Sequence, residues 1–161
     1  MDRMTETIAR CGWAIQAVEE GAGNLGYAYT IGLTEHSGHP ELALANIELD
    51  TTARVLNGLG ELVRAGRTLL PYTTATVDGL EFALVEVHGA HLRGEVFASW
   101  HRIYGWLPSP PPLRVLEVLV PDELLCYEHR GIGPYLAEAT CRLWARPNGA
   151  ARRAHRRPQG R

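Results

Sequence analysis

The chain has 161 residues, 45% of them hydrophobic and 21% charged, which predicts one globular domain with its own core and excludes general disorder. A net charge of -2 provides no overall positive field, so we do not expect nucleic acid as a partner. Arginines are concentrated in the last 20 residues, so the body that precedes them is acidic.

Cysteine usage and hydropathy predict a cytoplasmic protein. Cys11, Cys126 and Cys141 are far apart, and this spacing favours neither a disulfide framework nor a structural zinc site. The N-terminus lacks the apolar stretch of a signal peptide, and no run approaches the roughly 18 apolar residues of a membrane span. Arginine without lysine, together with abundant alanine and glycine, indicates a GC-rich bacterial source.

The first predicted elements are a short helix and a β-hairpin. Residues 4 to 11 suit a helix, and residues 13 to 18 suit a strand. Residues 19 to 26 concentrate glycine and charge, which is typical of a loop. Residues 27 to 33 then form the returning strand, which completes the predicted hairpin.

A polar turn over residues 34 to 40 leads into a third predicted strand, over residues 41 to 47. Asp50 is the expected N-cap of the clearest helix in the chain, over residues 52 to 65. The apolar side chains of that helix recur on one face with a 3.6-residue period.

The second half of the chain adds two strands, a helix and a last strand. The strands over residues 73 to 77 and 81 to 87 are joined by a short turn. Residues 91 to 106 are expected to be helical with an interruption at Gly94, and residues 114 to 120 form the last strand. Because neighbouring strands are joined by short turns, the sheet is expected to be antiparallel or mixed.

These elements predict an α+β fold, with a curved, mostly antiparallel sheet or small barrel of about six strands packed by two to three helices. Residues 1 to 130 form the single domain. A modest amphipathic pattern from residue 134 to 144 predicts a C-terminal helical extension over residues 131 to 146. The arginine-rich tail, residues 147 to 161, has no apolar periodicity and is expected to be disordered.

Four ionisable side chains are concentrated between the second and third strands: Glu35, His36, His39 and Glu41. Imidazole and carboxylate are the groups that proteins use for proton transfer and for binding metals. The concentration indicates a functional site, although the segment matches no known catalytic signature.

Two His-x-x-His pairs offer a set of metal ligands, His36 with His39 and His88 with His91. With a carboxylate added, they would suit Zn(II), Fe(II) or Ni(II). No HExxH or facial-triad pattern accompanies them, and histidines in a solvated turn are ordinary turn residues. We therefore predict no metal and no other cofactor, with these four histidines as the ligands if a metal does bind.

Metal-free acid–base catalysis is the preferred hypothesis. His39 is the expected proton shuttle, Glu41 the carboxylate that orients it, and His91 the third member of the site. Residues expected to contact a substrate are Tyr29, Trp100, Tyr104 and Asp122. The alternative is structural, since a His-Pro-Glu sequence can hold a tight turn, with His39 bonded to the backbone and Glu41 acting as a cap or forming a salt bridge with an arginine. Trp100 and Tyr104 share a helix face and either wall a pocket or belong to the core.

Five segments resemble those of a known family: GWAIQAV, YAYTIGL, GHPEL, HLRGEVFASWHRIYG and VLVPD. In order and spacing they resemble the bacterial DUF4262 family, whose function is unknown. The matching motif positions are Tyr29, Thr30, Gly32, Leu33, His39, Pro40, Glu41, His91, Tyr104, Pro121 and Asp122. Val120 stands where the family has tryptophan, and residues 126 to 128 replace a PWE-like element. The resemblance implies a shared fold and a shared site but no reaction.

The leading hypothesis is therefore a small-molecule-binding bacterial protein that acts as an acid–base enzyme, of isomerase, lyase or hydrolase type, in an accessory step of a biosynthetic pathway. Its site would be a polar cleft between the turn of residues 34 to 41 and the helix of residues 91 to 104. The alternative hypothesis is a non-catalytic ligand sensor or an oligomerising interaction module. Expected partners are a small-molecule substrate or ligand and, in the second case, further copies of the chain. A membrane partner is not expected.

Overall fold

The computed structural model describes residues 2–21, 25–125 and 133–143. Its six strands are Ala14–Val18 (β1), Tyr27–Ile31 (β2), Glu41–Ala45 (β3), Thr74–Val77 (β4), Leu80–Glu86 (β5) and Val115–Leu119 (β6). They form one sheet in the order β1-β2-β3-β6-β5-β4. Every neighbouring pair is antiparallel except β3 and β6, which are parallel, so the sheet is mixed and open at β1 and β4.

The described ranges contain five α-helices: Arg3–Cys11 (α1), Leu33–Ser37 (α2), Leu49–Arg64 (α3), Gly89–Leu92 (α4) and Ala98–Tyr104 (α5). Short 3₁₀ turns span Glu95–Phe97 and Asp122–Leu124. None of the helices in these ranges is long and apolar enough to cross a membrane.

The predicted α+β class and the six-stranded, mostly antiparallel sheet are confirmed, while the barrel alternative is wrong because β1 and β4 are edge strands. The number of helices was underestimated, since the predicted turn over residues 34 to 40 contains α2 and the predicted helix over residues 91 to 106 is divided between α4 and α5. The helix expected over residues 134 to 144 is wrong for residues 134 to 143, which contain bends and turns but no helix, and residue 144 lies outside the described residues. The arginine-rich tail lies outside the described residues.

The N-cap of α3 also differs from the prediction. Glu48, not Asp50, caps the helix, and its carboxylate accepts hydrogen bonds from the Asp50 backbone N–H at 3.3 Å and the Thr51 hydroxyl at 3.0 Å. Glu48 has the extended backbone that an N-cap requires, whereas Asp50 is already inside the first turn.

Helix α3 covers one face of the sheet. Its buried positions are Thr52, Val55, Leu56, Leu59, Gly60 and Val63. They belong to one apolar cluster with sheet side chains that include Leu42, Leu44 and Phe82. Since burying one such side chain stabilises a fold by about 1.5–3 kcal/mol, this cluster is a main source of stability.

The opposite face of the sheet is covered by α1, α5 and residues 133 to 143. Tyr27, Tyr29 and Ile31 of β2 point to this face and cluster with Phe97, Trp100, Tyr104, Tyr135, Leu136 and Leu143. Because both faces are covered, β2 and β3 are buried at every position instead of alternating.

A close approach between the two residues that precede β1 and the start of α2 fixes the turn that follows β2. Gly32 has a φ of 125°, and an added Cβ would lie 2.6 Å from the Gly12 carbonyl oxygen and 2.9 Å from the Trp13 Cα. Only glycine fits a position with that backbone and that little space. The chain therefore bends at Gly32 and enters α2 directly.

Residues 133 to 143 are anchored to the sheet by a buried carboxylate. Glu117 of β6 accepts hydrogen bonds from the backbone N–H groups of Tyr135 at 2.6 Å and Leu136 at 2.9 Å. The Tyr135 hydroxyl accepts a further hydrogen bond from the Asn46 amide at 2.8 Å. This segment is thus part of the core although it has no regular secondary structure.

Candidate functional site

Glu41 is fully buried at the start of β3. Its Oε1 accepts hydrogen bonds from the Gly32 N–H at 2.9 Å, and from the Thr34 N–H at 3.1 Å and hydroxyl at 2.9 Å. Its Oε2 accepts from the Leu33 N–H at 3.2 Å and the Thr30 hydroxyl at 2.7 Å. Three of these donors are consecutive backbone N–H groups at the start of α2, so Glu41 caps that helix from the neighbouring strand.

These contacts match the structural alternative for Glu41. Burial raises the pKa of the Glu41 carboxyl, while its hydrogen-bond donors oppose that rise by stabilising the anion. No hydrogen bond joins Glu41 to His39, so the expected orienting pair is not formed. Both carboxylate oxygens are instead used to hold the turn.

His39 is buried, and the backbone engages both of its ring nitrogens. Nε2 accepts a hydrogen bond from the Leu69 N–H at 2.9 Å, so Nδ1 carries the proton and donates to the Pro40 carbonyl oxygen at 2.8 Å. Burial lowers the pKa of His39, which keeps the ring neutral. Its hydrogen-bond partners are the adjacent Pro40 and Leu69 of the loop after α3, and neither belongs to residues 91 to 104, so the expected pairing across a cleft is absent.

His91, the third residue of the predicted catalytic set, is held elsewhere. Its Nε2 lies 2.6 Å from the Glu138 carbonyl oxygen, and the ring stacks edge-on with His88 at 6.2 Å between centroids. His88 Nδ1 accepts a hydrogen bond from the Ala90 N–H at the start of α4. His91 therefore fastens residues 133 to 143, and we do not place His39, Glu41 and His91 in one catalytic centre.

The described residues contain no group of three or more histidine, cysteine or acidic side chains arranged to hold a metal ion. Four histidines were named as ligands in case a metal binds. Of these, His88 and His91 are neighbours, but each has a ring nitrogen hydrogen-bonded to the backbone. His36 instead lies on the surface of α2, 3.5 Å from Glu35. The two His-x-x-His pairs thus serve separate local contacts.

Aromatic residues predicted to contact a substrate belong to the core. The Tyr29 hydroxyl accepts a hydrogen bond from the Ser99 N–H at 3.1 Å, and its ring meets Phe97 edge-on at 5.1 Å. Trp100 packs on Tyr104 at 5.0 Å between ring centroids, and its buried indole N–H has no hydrogen-bond partner among the described residues. Of the two interpretations of the Trp100–Tyr104 pair, packing in the core matches the structure.

Helices α2 and α5 do meet, as the predicted cleft required, but through different residues. The Tyr104 hydroxyl donates a hydrogen bond to Glu35 Oε2 at 2.8 Å, and His36 Nε2 lies 3.5 Å from the same oxygen. Burial and the adjacent Glu35 carboxylate raise the pKa of Tyr104. A tyrosine, a carboxylate and an imidazole therefore form a chain of polar contacts that leads from the core to the surface.

Asp122 is exposed just after β6, at the side of a cavity of about 130 Å³. Glu117 and Tyr135 line the same cavity. Burial raises the pKa of the Glu117 carboxyl. Because its two oxygens accept from the backbone of residues 135 and 136, Glu117 serves mainly as the anchor of that segment.

A larger cavity, of about 550 Å³, lies at the end of the sheet where β1 and β3 finish. We call it the acidic cavity. The described residues that line it are Ala17, Val18, Glu19, Glu20, Gly26, Tyr27, Asn46, Ile47, Glu48, Leu49, Thr52, Leu124 and Leu125. Its volume falls within the roughly 300–1,000 Å³ of small-molecule sites.

The wall of the acidic cavity is held in place by Asn46. This residue has a φ of 69°, a left-handed conformation that asparagine adopts more readily than most side chains. Its N–H donates to the Gly26 carbonyl oxygen at 2.9 Å, and its side-chain amide donates to the Tyr135 hydroxyl at 2.8 Å. The junction between β3 and α3 is therefore tied to both β2 and residues 133 to 143.

The charged side chains among the described lining residues of the acidic cavity are all negative. Glu19, Glu20 and Glu48 are exposed at its edge, and no arginine or histidine is among its described lining residues. The positive end of α3 also faces this region, but a helix N-terminus is equivalent to only about half a charge. Glu20 and Glu48 alone place two carboxylates at the same edge, a charge that favours a cationic ligand.

Sequence reasoning nominated none of the acidic residues of this cavity. Glu19 and Glu20 were assigned to a hairpin loop, and Glu48 lies 28 positions further along the chain than Glu20. Pairing of β2 with both β1 and β3 brings the two segments together. The adjacent acidic pair was the one local signal, and it could not indicate where the third carboxylate would lie.

Comparison with known proteins identifies the family. The family described as "Domain of unknown function (DUF4262)" matches residues 7–127, which include β1 to β6 and α2 to α5. No curated protein and no solved structure matches the chain. The match covers most of the chain and confirms the resemblance found in the sequence. The chain therefore belongs to the DUF4262 family, a family of unknown function.

Proposed function

We propose that this protein binds a small organic cation in the acidic cavity. The observation that carries the proposal is a cavity of about 550 Å³ with carboxylates at its edge and apolar side chains within it. Val18, Ile47 and Leu124 supply the apolar surface. Ligand sites combine such surfaces with a few polar groups that fix orientation, so an amine with an apolar body suits this lining.

The contacts around the cavity support a site that exists before the ligand arrives. Asn46 joins two strands and residues 133 to 143, and Thr52 bonds to the Glu48 carbonyl oxygen at 3.0 Å. Glu48 holds the start of α3 through its own carboxylate. A ligand that enters a rigid cavity loses less affinity to ordering of the protein, so modest contacts are sufficient for binding.

An acid–base reaction is the second candidate, and one contact favours it. Tyr104, Glu35 and His36 form a chain of polar side chains from the core to the surface, and such groups can pass protons. If these three polar side chains are catalytic, Tyr104→Phe should abolish turnover and leave the fold intact, because the substitution removes only the hydroxyl group. His39 and Glu41 lend no support to this candidate, since their polar atoms are engaged in holding the turn.

The accessory role in a bacterial biosynthetic pathway and the cytoplasmic location stay predictions.

Calorimetric titration with phenethylammonium tests the proposed binding. The matched probe is 3-phenylpropionate, which has a similar apolar body and the opposite charge. We expect saturable binding of the cation alone. Glu20→Gln weakens it about three-fold, the size expected for one exposed charge pair, and a Glu20→Gln/Glu48→Gln double variant weakens it about ten-fold.

Glu6→Gln is the control, because Glu6 is an exposed acidic residue on α1 outside the cavity. It removes the same charge and should leave the affinity unchanged. Equal binding of both probes, or equal loss in the Glu6 variant, would contradict a site built from these carboxylates.

A further inference from the structure

A second cavity lies at the opposite end of β3, and we call it the basic cavity. Its volume is about 240 Å³, and three separate stretches of chain line it. They are residues 37 to 40 at the end of α2 and beyond it, Val63 near the end of α3 with the loop of residues 66 to 71 that follows, and Arg114 before β6. The acidic cavity begins beyond the other end of the same strand, at Asn46.

The charge of this second cavity is opposite to that of the first. Arg67 and Arg114 both line it, and no aspartate or glutamate is among its described lining residues. Arg67 is exposed, and its guanidinium makes no hydrogen bond or ion pair within the described part of the chain. A guanidinium with no counter-ion, placed at a concave surface, is available to an anionic ligand.

Arg114 is held in position for the same ligand. Its Nη2 donates a hydrogen bond to the Gly38 carbonyl oxygen at 2.9 Å, which leaves its other N–H groups available. Gly38 has a φ of 61° at the end of α2, so the turn presents its carbonyl in a fixed direction. The Arg114 guanidinium is therefore oriented by the protein before any ligand binds.

The floor of the basic cavity is rigid and uncharged. His39 is fixed at both ring nitrogens, to Pro40 and to Leu69. Burial, and secondarily the charge of Arg114, lowers the pKa of His39. The neutral ring adds no charge of its own, so the two guanidinium groups set the electrostatics of the site.

We propose that the basic cavity binds the phosphate group of a small phosphate monoester. Two guanidinium groups supply more N–H donors than one carboxylate can accept, whereas a phosphate presents three oxygens and up to two negative charges. Ser37 and Thr68 add hydroxyl donors to the lining, and Leu70 and Pro71 add an apolar wall for the rest of the ligand. This site is independent of the proposed cation site.

Titration of ¹⁵N-labelled protein with inorganic phosphate at constant ionic strength tests the proposal, with acetate as the monoanion for comparison. We expect saturable shifts of backbone amides within residues 37 to 39 and 66 to 70, and unchanged amides within residues 46 to 49. Arg67→Gln should weaken phosphate binding roughly ten-fold, because it removes a charge-assisted contact. Acetate should produce much smaller shifts at the same concentration.

Arg54→Gln is the matched control, since Arg54 is exposed on α3 and outside the described lining of the basic cavity. It should leave phosphate affinity unchanged. Arg67 holds no other described side chain, so its replacement is not expected to disturb the fold. Shifts that never saturate, equal effects of acetate and phosphate, or an equal loss in the Arg54 variant would overturn the proposal and indicate non-specific attraction.

Discussion

Glu41 organises its turn as the acceptor for five donors that would otherwise be buried without partners. The three backbone N–H groups at the start of α2 have no other described partner, and the Thr30 hydroxyl also accepts from the Leu42 N–H at 2.9 Å. A buried donor that loses its acceptor costs about 1–3 kcal/mol. This single side chain therefore fixes the geometry between β2 and β3.

Replacing Glu41 with glutamine should reduce the free energy of unfolding by at least about 2 kcal/mol. A glutamine side chain has one acceptor oxygen, and its NH₂ group would face donors that now bond to the second carboxylate oxygen. The measurement is urea denaturation followed by circular dichroism. The exposed Glu6→Gln change should cost less than about 0.5 kcal/mol. Equal stability of the two variants would contradict the capping role.

The neutral state of His39 predicts a pH dependence with a definite sign. Burial lowers the folded pKa below its ordinary value of 6.5, so the unfolded chain binds the proton more readily. The contribution of His39 to stability is therefore complete above about pH 6.5 and is lost as the pH falls toward the folded pKa.

His39→Phe removes this titration together with two hydrogen bonds. At pH 7 we expect the variant to be less stable by about 2 kcal/mol, because the Leu69 N–H loses its buried acceptor. The difference between wild type and variant should shrink as the pH is lowered from 7 to 5, measured by urea denaturation at each pH. A difference that grows on acidification would mean that His39 is charged in the fold, as a carboxylate-paired proton shuttle would be.

Helix α3 can pack closely on Trp13 because residue 60 is a glycine and has no side chain. An added Cβ at Gly60 would lie 2.7 Å from both Cε2 and Cζ2 of Trp13. The Trp13 ring is also held by a hydrogen bond to Asn57 at 3.1 Å and by Arg64, 4.5 Å above it. The ring thus has little freedom to move away from α3.

Gly60→Ala should destabilise the protein by about 1–2 kcal/mol, although alanine is normally better than glycine in a helix by about 1 kcal/mol. The clash with Trp13 outweighs the gain in helix propensity. Gly89→Ala provides the control, because no heavy atom lies within 4 Å of an added Cβ there, and it should be neutral or slightly stabilising. A thermal unfolding midpoint for Gly60→Ala at or above that of wild type would contradict this packing.

Elements with a strong local pattern were predictable, and those that depend on distant contacts were not. The apolar period of α3 and the pairing of β1 with β2 are both local features. Helix α2 was missed because its N-terminus is capped by Glu41, a residue that follows the helix in the chain. Residues 133 to 143 have a helix-like pattern because Leu136 and Leu143 are buried, but Glu117 binds their backbone and holds them in bends.

The order of the strands in the sheet creates the proposed cation site. Strand β2 lies between β1 and β3 and is antiparallel to both, so β1 and β3 end at the same edge of the sheet, where Glu20 and Glu48 follow them. Sequence reasoning predicted the fold class and the number of strands, but it placed the site at the histidine-rich turn. The buried polar groups of that turn are bonded mainly to the backbone, a structural use that composition does not distinguish from catalysis.

The same strand order separates the two cavities. The acidic cavity follows the carboxyl end of β3 and the basic cavity precedes its amino end, so five residues of strand lie between them. At about 3.3 Å per residue, this separation is roughly 16 Å. The two charges therefore attract ligands at different places and can be tested one at a time.

The most direct test of the cation-binding proposal is a map of the amide shifts that phenethylammonium produces in ¹⁵N-labelled protein. We expect saturable shifts within residues 17 to 20 and 46 to 49, which need about ten-fold more ligand to saturate in the Glu20→Gln/Glu48→Gln variant, while amides within residues 37 to 39 stay unchanged. Saturable shifts confined to other parts of the chain, or no saturable shift at all, would contradict it.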